Sequence, residues 1–161
     1  MHIGIIVYSQ SGHTAAAAKA IAEKFREHGH EVDIKLLLTT GMARPGSKHF
    51  TICNTPEQED IDQYEAIIVG SPVWGFKEST VIREFLTWLN KLNGKKTLSF
   101  VTMVFPWKSF GGNQAIAHMD EDLRASGGNV CPGEILHYFF GFNKQQLPGA
   151  LERIYRAITG Q

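Results

Sequence analysis

Six consecutive residues, Ser9-Gln10-Ser11-Gly12-His13-Thr14, carry the densest chemistry in this chain. They follow a short apolar run, Ile3-Gly4-Ile5-Ile6-Val7-Tyr8, and precede an alanine-rich stretch that reads as helix. A helix start holds four backbone N–H groups with no intrahelical acceptor and a partial positive charge. Such an end takes up a phosphate or another anion. Ser9, Ser11 and Thr14 add hydroxyl donors, and Gly12 lets the backbone approach a ligand closely. The same residue types also cap helices where no ligand is present. The stretch is neither G-x-x-x-x-G-K-[ST] nor G-x-G-x-x-G, and it holds no Lys or Arg. So weakly charged a cradle suits the terminal phosphate of a mononucleotide better than a triphosphate with its metal.

Two further stretches are rich in aromatic residues. Ser71-Pro72-Val73-Trp74-Gly75-Phe76 carries Trp74 and Phe76, and the stretch from Phe105 to Asn113 carries Phe105, Trp107 and Phe110. Aromatic faces stack on flat ring systems. Pro72, Gly75, Gly111 and Gly112 favour tight turns that aim backbone groups at a ring edge. A phosphate at one end and a broad aromatic plane at the other describe flavin mononucleotide. The alternative is that Trp74 and Phe76 only seal the top of a sheet.

The elements that must position these stretches are legible in the periodicity. Residues 2 to 8 and 66 to 70 are almost continuously apolar, as strands covered on both faces are. Val32, Ile34 and Leu36 alternate with Glu31, Asp33 and Lys35, which marks residues 31 to 38 as an edge strand. A fourth strand is expected over 97 to 104. A fifth begins near Asn129, and Pro132 puts it at an edge or on a bulge. Helices are expected at about 13 to 28, 79 to 92, 113 to 126 and 144 to 159, each with an apolar stripe or strong intrinsic preference. Residues 39 to 64 are irregular, broken by Gly41, Pro45, Gly46, Asn54 and Pro56, with no evident helix; Phe50-Thr51-Ile52-Cys53 has the composition to pair locally.

Alternating strands and helices predict an α/β fold with a parallel sheet and right-handed crossovers. Central first and third strands with edge second and fifth strands fit the order 2-1-3-4-5. Ligands then bind beyond the carboxyl ends of the first and third strands, where the strand order reverses. The hydroxyl stretch and the Trp74 stretch both leave the sheet there.

The 161 residues fit one domain over 1–161, and 43% hydrophobic content suffices for a core. Sixteen basic and sixteen acidic residues balance to zero net charge, so no nucleic-acid partner is implied. No apolar run reaches the ~18–20 residues of a membrane span. Met1-His2-Ile3 reads as strand and not as a leader, so a cytoplasmic protein is expected. Cys53 and Cys131 fit no metal or redox spacing; one disulfide is possible, and two idle thiols are expected. The remaining histidines show no ligand spacing, and Glu57, Glu59, Asp60 and Asp62 read as a solvated acidic run.

Over nearly its whole length the chain resembles the flavodoxin-like FMN proteins. Ser9 to Thr14 resembles the family's T/S-x-S/T-G-x-T phosphate fingerprint. Gly70-Ser71-Pro72-Val73-Trp74-Gly75 resembles its second flavin loop, with the glycine one place early. Phe105 to Asn113 falls where the third loop lies and matches it less well. The resemblance implies a three-layer fold with a five-stranded parallel sheet and bound FMN. It implies that Ser9, Ser11, Gly12, His13 and Thr14 hold the phosphate. It also implies that Pro72, Val73, Trp74, Gly75, Phe76, Phe105, Trp107 and Gly112 line the ring, with Gly75 letting a backbone carbonyl face N5.

No side chain is needed as a catalytic acid or base. His13 is offered as a phosphate partner, Lys77 and Lys108 as attractors of an anionic donor, each against the alternative of plain solvation. The function expected is an oxidoreductase passing electrons from a nicotinamide nucleotide or a protein to a small acceptor such as a quinone. The alternative is a non-enzymatic electron carrier, which the neutral composition disfavours because carriers use charge to steer partners. A phosphorylated receiver domain shares the strand order but needs acids after the first strand, where Tyr8-Ser9-Gln10 stands. The irregular 39–64 segment is expected to cover the flavin and shape a pocket. A homo-oligomer is left open.

Overall fold

A computed structural model describes residues 1–47, 49–105, 111–138 and 145–161. The chain begins with β1 (His2–Val7), α1 (His13–Arg26) and β2 (Glu31–Leu36). A small antiparallel pair follows, β3 (Thr39–Thr40) with β4 (Thr51–Ile52), and then the short helix α2 (Gln58–Asp62). Strand β5 (Ala66–Trp74) turns back as β6 (Lys77–Glu78) and leads into α3 (Thr80–Trp88). The chain continues as β7 (Lys96–Met103), α4 (Gly112–Ala125), β8 (Asn129–Val130), β9 (Glu134–His137) and α5 (Leu147–Thr159).

The sheet order is β2-β1-β5-β7, with β8 and β9 both parallel to β7 at its far side. This is the expected 2-1-3-4-5 order. The fifth strand is not continuous: Cys131-Pro132-Gly133 interrupts it, because proline cannot donate to the ladder. The third strand runs four residues further than its apolar core suggested, to Trp74, because β6 pairs with its end.

Each face of the sheet has its own helix layer. Ile3, Ile5, Val7, Ile68, Leu98 and Phe100 lie under α1 and α5. Ile6, Ile67, Val69 and Val101 lie under α3 and α4. The 39–64 segment is more ordered than its composition suggested. Phe50–Cys53 does pair locally through β4, and α2 exists where no helix was expected. Five residues are too few to show a helical period. The acidic run does local work there: Glu57 opens a capping box in which its N–H donates to the Asp60 carboxylate at 3.2 Å.

His28 and His30 both lie against the ring of Tyr155, with centroids 4.4 and 5.9 Å away. Cys53 is exposed and Cys131 half-buried, and both thiols are free. Among the described residues no helix is long and apolar enough to cross a membrane. None of them form a group of three or more His, Cys, Asp or Glu able to hold a metal ion.

Gly70 sits on β5 between β1 and β7. A Cβ there would lie 2.2 Å from the Phe100 ring and 2.8 Å from Val7, beneath the α1 layer. Replacing Gly70 by Ala is expected to cost about 1–3 kcal/mol through overpacking, read as a lowered midpoint in urea with an unchanged slope.

Asp120 on α4 is nearly buried and accepts a 2.6 Å hydrogen bond from Ser99 Oγ. Burial pushes its pKa up, against the smaller opposing pulls of Ser99 and Arg124. A carboxyl whose folded pKa exceeds its unfolded value contributes most when protonated, and that contribution is lost as pH rises through the folded pKa. Asp120→Asn keeps an oxygen for Ser99 and removes the charge. It should raise Tm at about pH 8 and lose that advantage toward about pH 4 in a thermal melt series.

Candidate functional site

The site is built where β1 and β5 end side by side. Their register pairs Val7 with Gly70, and the Tyr8 N–H donates to the Gly70 carbonyl at 3.3 Å. Both following loops therefore leave from one end of the sheet. The Tyr8 ring meets Trp74 edge-on, with centroids 5.6 Å apart. The hydroxyl stretch and the first aromatic stretch thus flank a common crevice.

Gly12 starts α1 with φ +88°, and its carbonyl accepts the first helical bond from Ala16 at 2.9 Å. Ser9 Oγ accepts from the Ala15 N–H at 3.1 Å, which leaves its own proton to donate. Among the described residues no acceptor meets the N–H groups of Gly12, His13 or Thr14. These lie in the first turn, where intrahelical partners do not exist. A Cβ at Gly12 would meet nothing within 4 Å, so the backbone is open to an approaching group.

Two residues in this stretch have partners the sequence did not suggest. Thr14 is buried, and its hydroxyl shares a 2.8 Å hydrogen bond with that of Thr102 on β7. That bond anchors the helix start to the sheet, and either hydroxyl can be its donor. Ser11 Oγ lies 2.8 Å from His13 Nδ1, and the His13 ring stacks on Tyr138 at 3.9 Å and 12°. Nothing in the spacing of the chain announced Tyr138, which is 125 residues away by the numbering of the sequence.

The second loop is a two-residue hairpin turn. Trp74 pairs with Lys77, and both central residues take positive φ, Gly75 at +52° and Phe76 at +73°. That is what a type I′ connection requires. Glycine adopts it freely, while a phenylalanine there carries roughly 1–2 kcal/mol of strain. Pro72, Val73 and Trp74 are half-buried at the end of β5, and Phe76 is exposed. Ser71 Oγ accepts from the Ser79 N–H at 2.8 Å, and Ser79 Oγ caps α3 by accepting from the Ile82 N–H.

The third stretch is only partly described. Phe105 is exposed, and its carbonyl lies 2.8 Å from His137 Nδ1. Trp107, Lys108 and Phe110 lie outside the described residues. Gly112 is buried: a Cβ there would lie 2.8 Å from Met103 Sδ and 2.9 Å from Ile135. The missing side chain at Gly112 therefore meets a packing need between α4 and the sheet.

Two contacts bring the 39–50 segment to the crevice. Gln10 Nε2 donates to the Ala43 carbonyl at 3.5 Å. Burial raises the Tyr8 pKa, opposed by a smaller hydrogen bond to Thr39. Tyr8 was missed as a site residue because it reads as the last apolar position of the first strand. An aromatic residue at a strand's carboxyl end was the available signal.

A helix start open to an anion, beside a turn bearing aromatic residues at the strand-order reversal, limits the families that fit. The family model described as Flavodoxin matches residues 5–137. The chain belongs to the flavodoxin family.

Flavin mononucleotide is that family's cofactor, and the donor set here fits it: N–H groups and hydroxyls for a phosphate, Trp74 and Phe76 for a ring. The chain is 31% identical to the NAD(P)H dehydrogenase (quinone) of Cupriavidus metallidurans over 121 residues, 69% of this chain and 59% of that protein. It spans between 36% and 59% of the length of the curated relatives it matches. In fold it is similar to a flavodoxin of the Streptococcus pneumonia strain TIGR4, with TM-score 0.75, 18% identity and 99% of each chain covered. It is also similar to a flavoprotein in complex with FMN from Lactobacillus acidophilus, with TM-score 0.63, 22% identity, and 83% of this chain and 92% of that one covered.

Gly111 links the Trp74–Lys77 turn to α4. It caps α4 at φ +96°, and a Cβ there would lie 2.2 Å from the Phe76 Cα. Gly111→Ala must push the Phe76 turn away, so stability should fall by about 1–3 kcal/mol. Flavin affinity should fall with it, and denaturation plus flavin titration check both.

Proposed function

We propose that this flavodoxin-family chain binds FMN between the α1 start and the Trp74–Phe76 hairpin. In this reading it passes electrons from a nicotinamide nucleotide or a protein donor to a small acceptor such as a quinone. The contact between Tyr8 and Trp74 carries the reading, because it joins a phosphate-type loop and a ring-type loop in one crevice.

The flavin supplies the electron-transfer chemistry, and the protein sets its position and surroundings. The N–H groups of Gly12, His13 and Thr14 and the hydroxyls of Ser9 and Ser11 hold the phosphate. Val73, Trp74, Phe76 and Phe105 exclude water along the ring. Gly75 keeps the turn backbone bare where it meets the ring. The enzymatic reading draws on the quinone dehydrogenase relatives and on the balanced charge, which lacks the net negative charge that steers a carrier to basic partners.

The purified protein should take up FMN, quench its fluorescence and show absorption bands near ~370 and ~450 nm, as bound flavin does. It should then oxidise NADH or NADPH with a quinone and no second protein. Turnover only through an added reductase would make it a carrier. Ser11→Ala should weaken FMN binding about tenfold and leave riboflavin, which has no phosphate, unchanged. Gly75→Val should shift the flavin potential; an unchanged potential in redox titration would remove Gly75 from the ring.

A further inference from the structure

We infer that Glu78, clamped by Arg83 and His118, is a positioning residue that holds the ring-facing hairpin in its strained turn. The inference rests on the FMN reading above. Glu78 lies on β6, directly opposite Val73 and two residues beyond Phe76. Its side chain is only 1% exposed. A buried carboxylate is costly unless paired and hydrogen-bonded. Here one oxygen accepts from Arg83 Nε of α3 at 2.6 Å, and the other meets His118 Nδ1 of α4 at 3.2 Å. For that second contact to be a hydrogen bond, Nδ1 must carry the proton, so the carboxylate selects the His118 tautomer.

The arrangement joins three elements at one atom group. Arg83 sits in the first turn of α3, His118 midway along α4, and Glu78 on the two-residue strand between the turn and α3. A hydrophobic residue would serve stability as well as a buried ion pair does. What the pair adds is fixed geometry. The hairpin needs it, because Phe76 sits at φ +73° and the strand behind it is two residues long. Strained turns persist only where their surroundings over-determine them. Gly111 lies so near the turn that a Cβ there would meet the Phe76 backbone, and Glu78 fixes the trailing strand through Arg83 and His118.

His118 is partly exposed, so its replacement tests the clamp without emptying the core. In the flavin-free protein, amide exchange at Gly75 to Ser79 should accelerate in His118→Ala and return to the wild-type rate in His118→Asn. The asparagine amide can donate to Glu78 where the imidazole did. On flavin titration, His118→Ala should lose about fivefold in affinity for FMN and riboflavin alike, and His118→Asn should recover it. The flavin potential should shift in the Ala variant and return in the Asn variant.

Exchange and affinity unchanged in His118→Ala would overturn the inference. So would a loss confined to FMN, which would place the effect at the phosphate, or a loss that His118→Asn fails to repair. Wild-type protein that binds neither flavin would refute the cofactor reading and this role with it. Wild type that binds both, beside an indifferent His118→Ala, would refute the role alone.

Discussion

The start of α1 must lie close on the sheet at the end of β1, and the rest of the site depends on that closeness. Thr14 reaches past β5 to form a hydroxyl–hydroxyl hydrogen bond with Thr102 on β7. The approach is possible because the intervening strand carries Gly70, and because Ala17 and Ala18, the buried residues next after Thr14 on α1, are small. Larger residues would lift the helix, and its free N–H groups would no longer point into the crevice. A packing requirement in the core thus fixes an electrostatic feature at the surface.

The opposite wall is set by different physics. The Trp74–Lys77 turn is held in the left-handed region at two successive positions, one of them a phenylalanine. Its stability comes from its neighbours: the bare Gly111 backbone, the Ser71–Ser79 hydrogen bond and the buried Glu78 pair. The α1 start folds with the sheet, and the Trp74–Lys77 turn is held by the second helix layer. In the proposed reading, FMN held between them would join the two helix layers across the sheet.

Much of this was legible in the chain. Continuous apolar runs separated buried strands from the alternating edge strand, and Gly12 with its flanking hydroxyls marked the anion-type loop. What escaped depended on contacts between distant residues. The bond from Thr14 to Thr102 escaped because the two residues are 88 positions apart. Gly112 looked like a turn residue because only packing against Met103 and Ile135 shows its use. Pro132 marked the irregularity of the fifth strand, while helix α2 escaped because five residues are too few for a period to emerge. The Glu78 clamp joins residues that no local pattern connects.

The central claim is that two loops from adjacent strand ends grip one ligand together. Backbone amide NMR during FMN titration tests it most directly. The account expects the amides of residues 9–16 and 71–77 to shift together along one binding curve, with riboflavin reproducing only the second group. Shifts confined to one loop, or centred away from the carboxyl ends of β1 and β5, would contradict it.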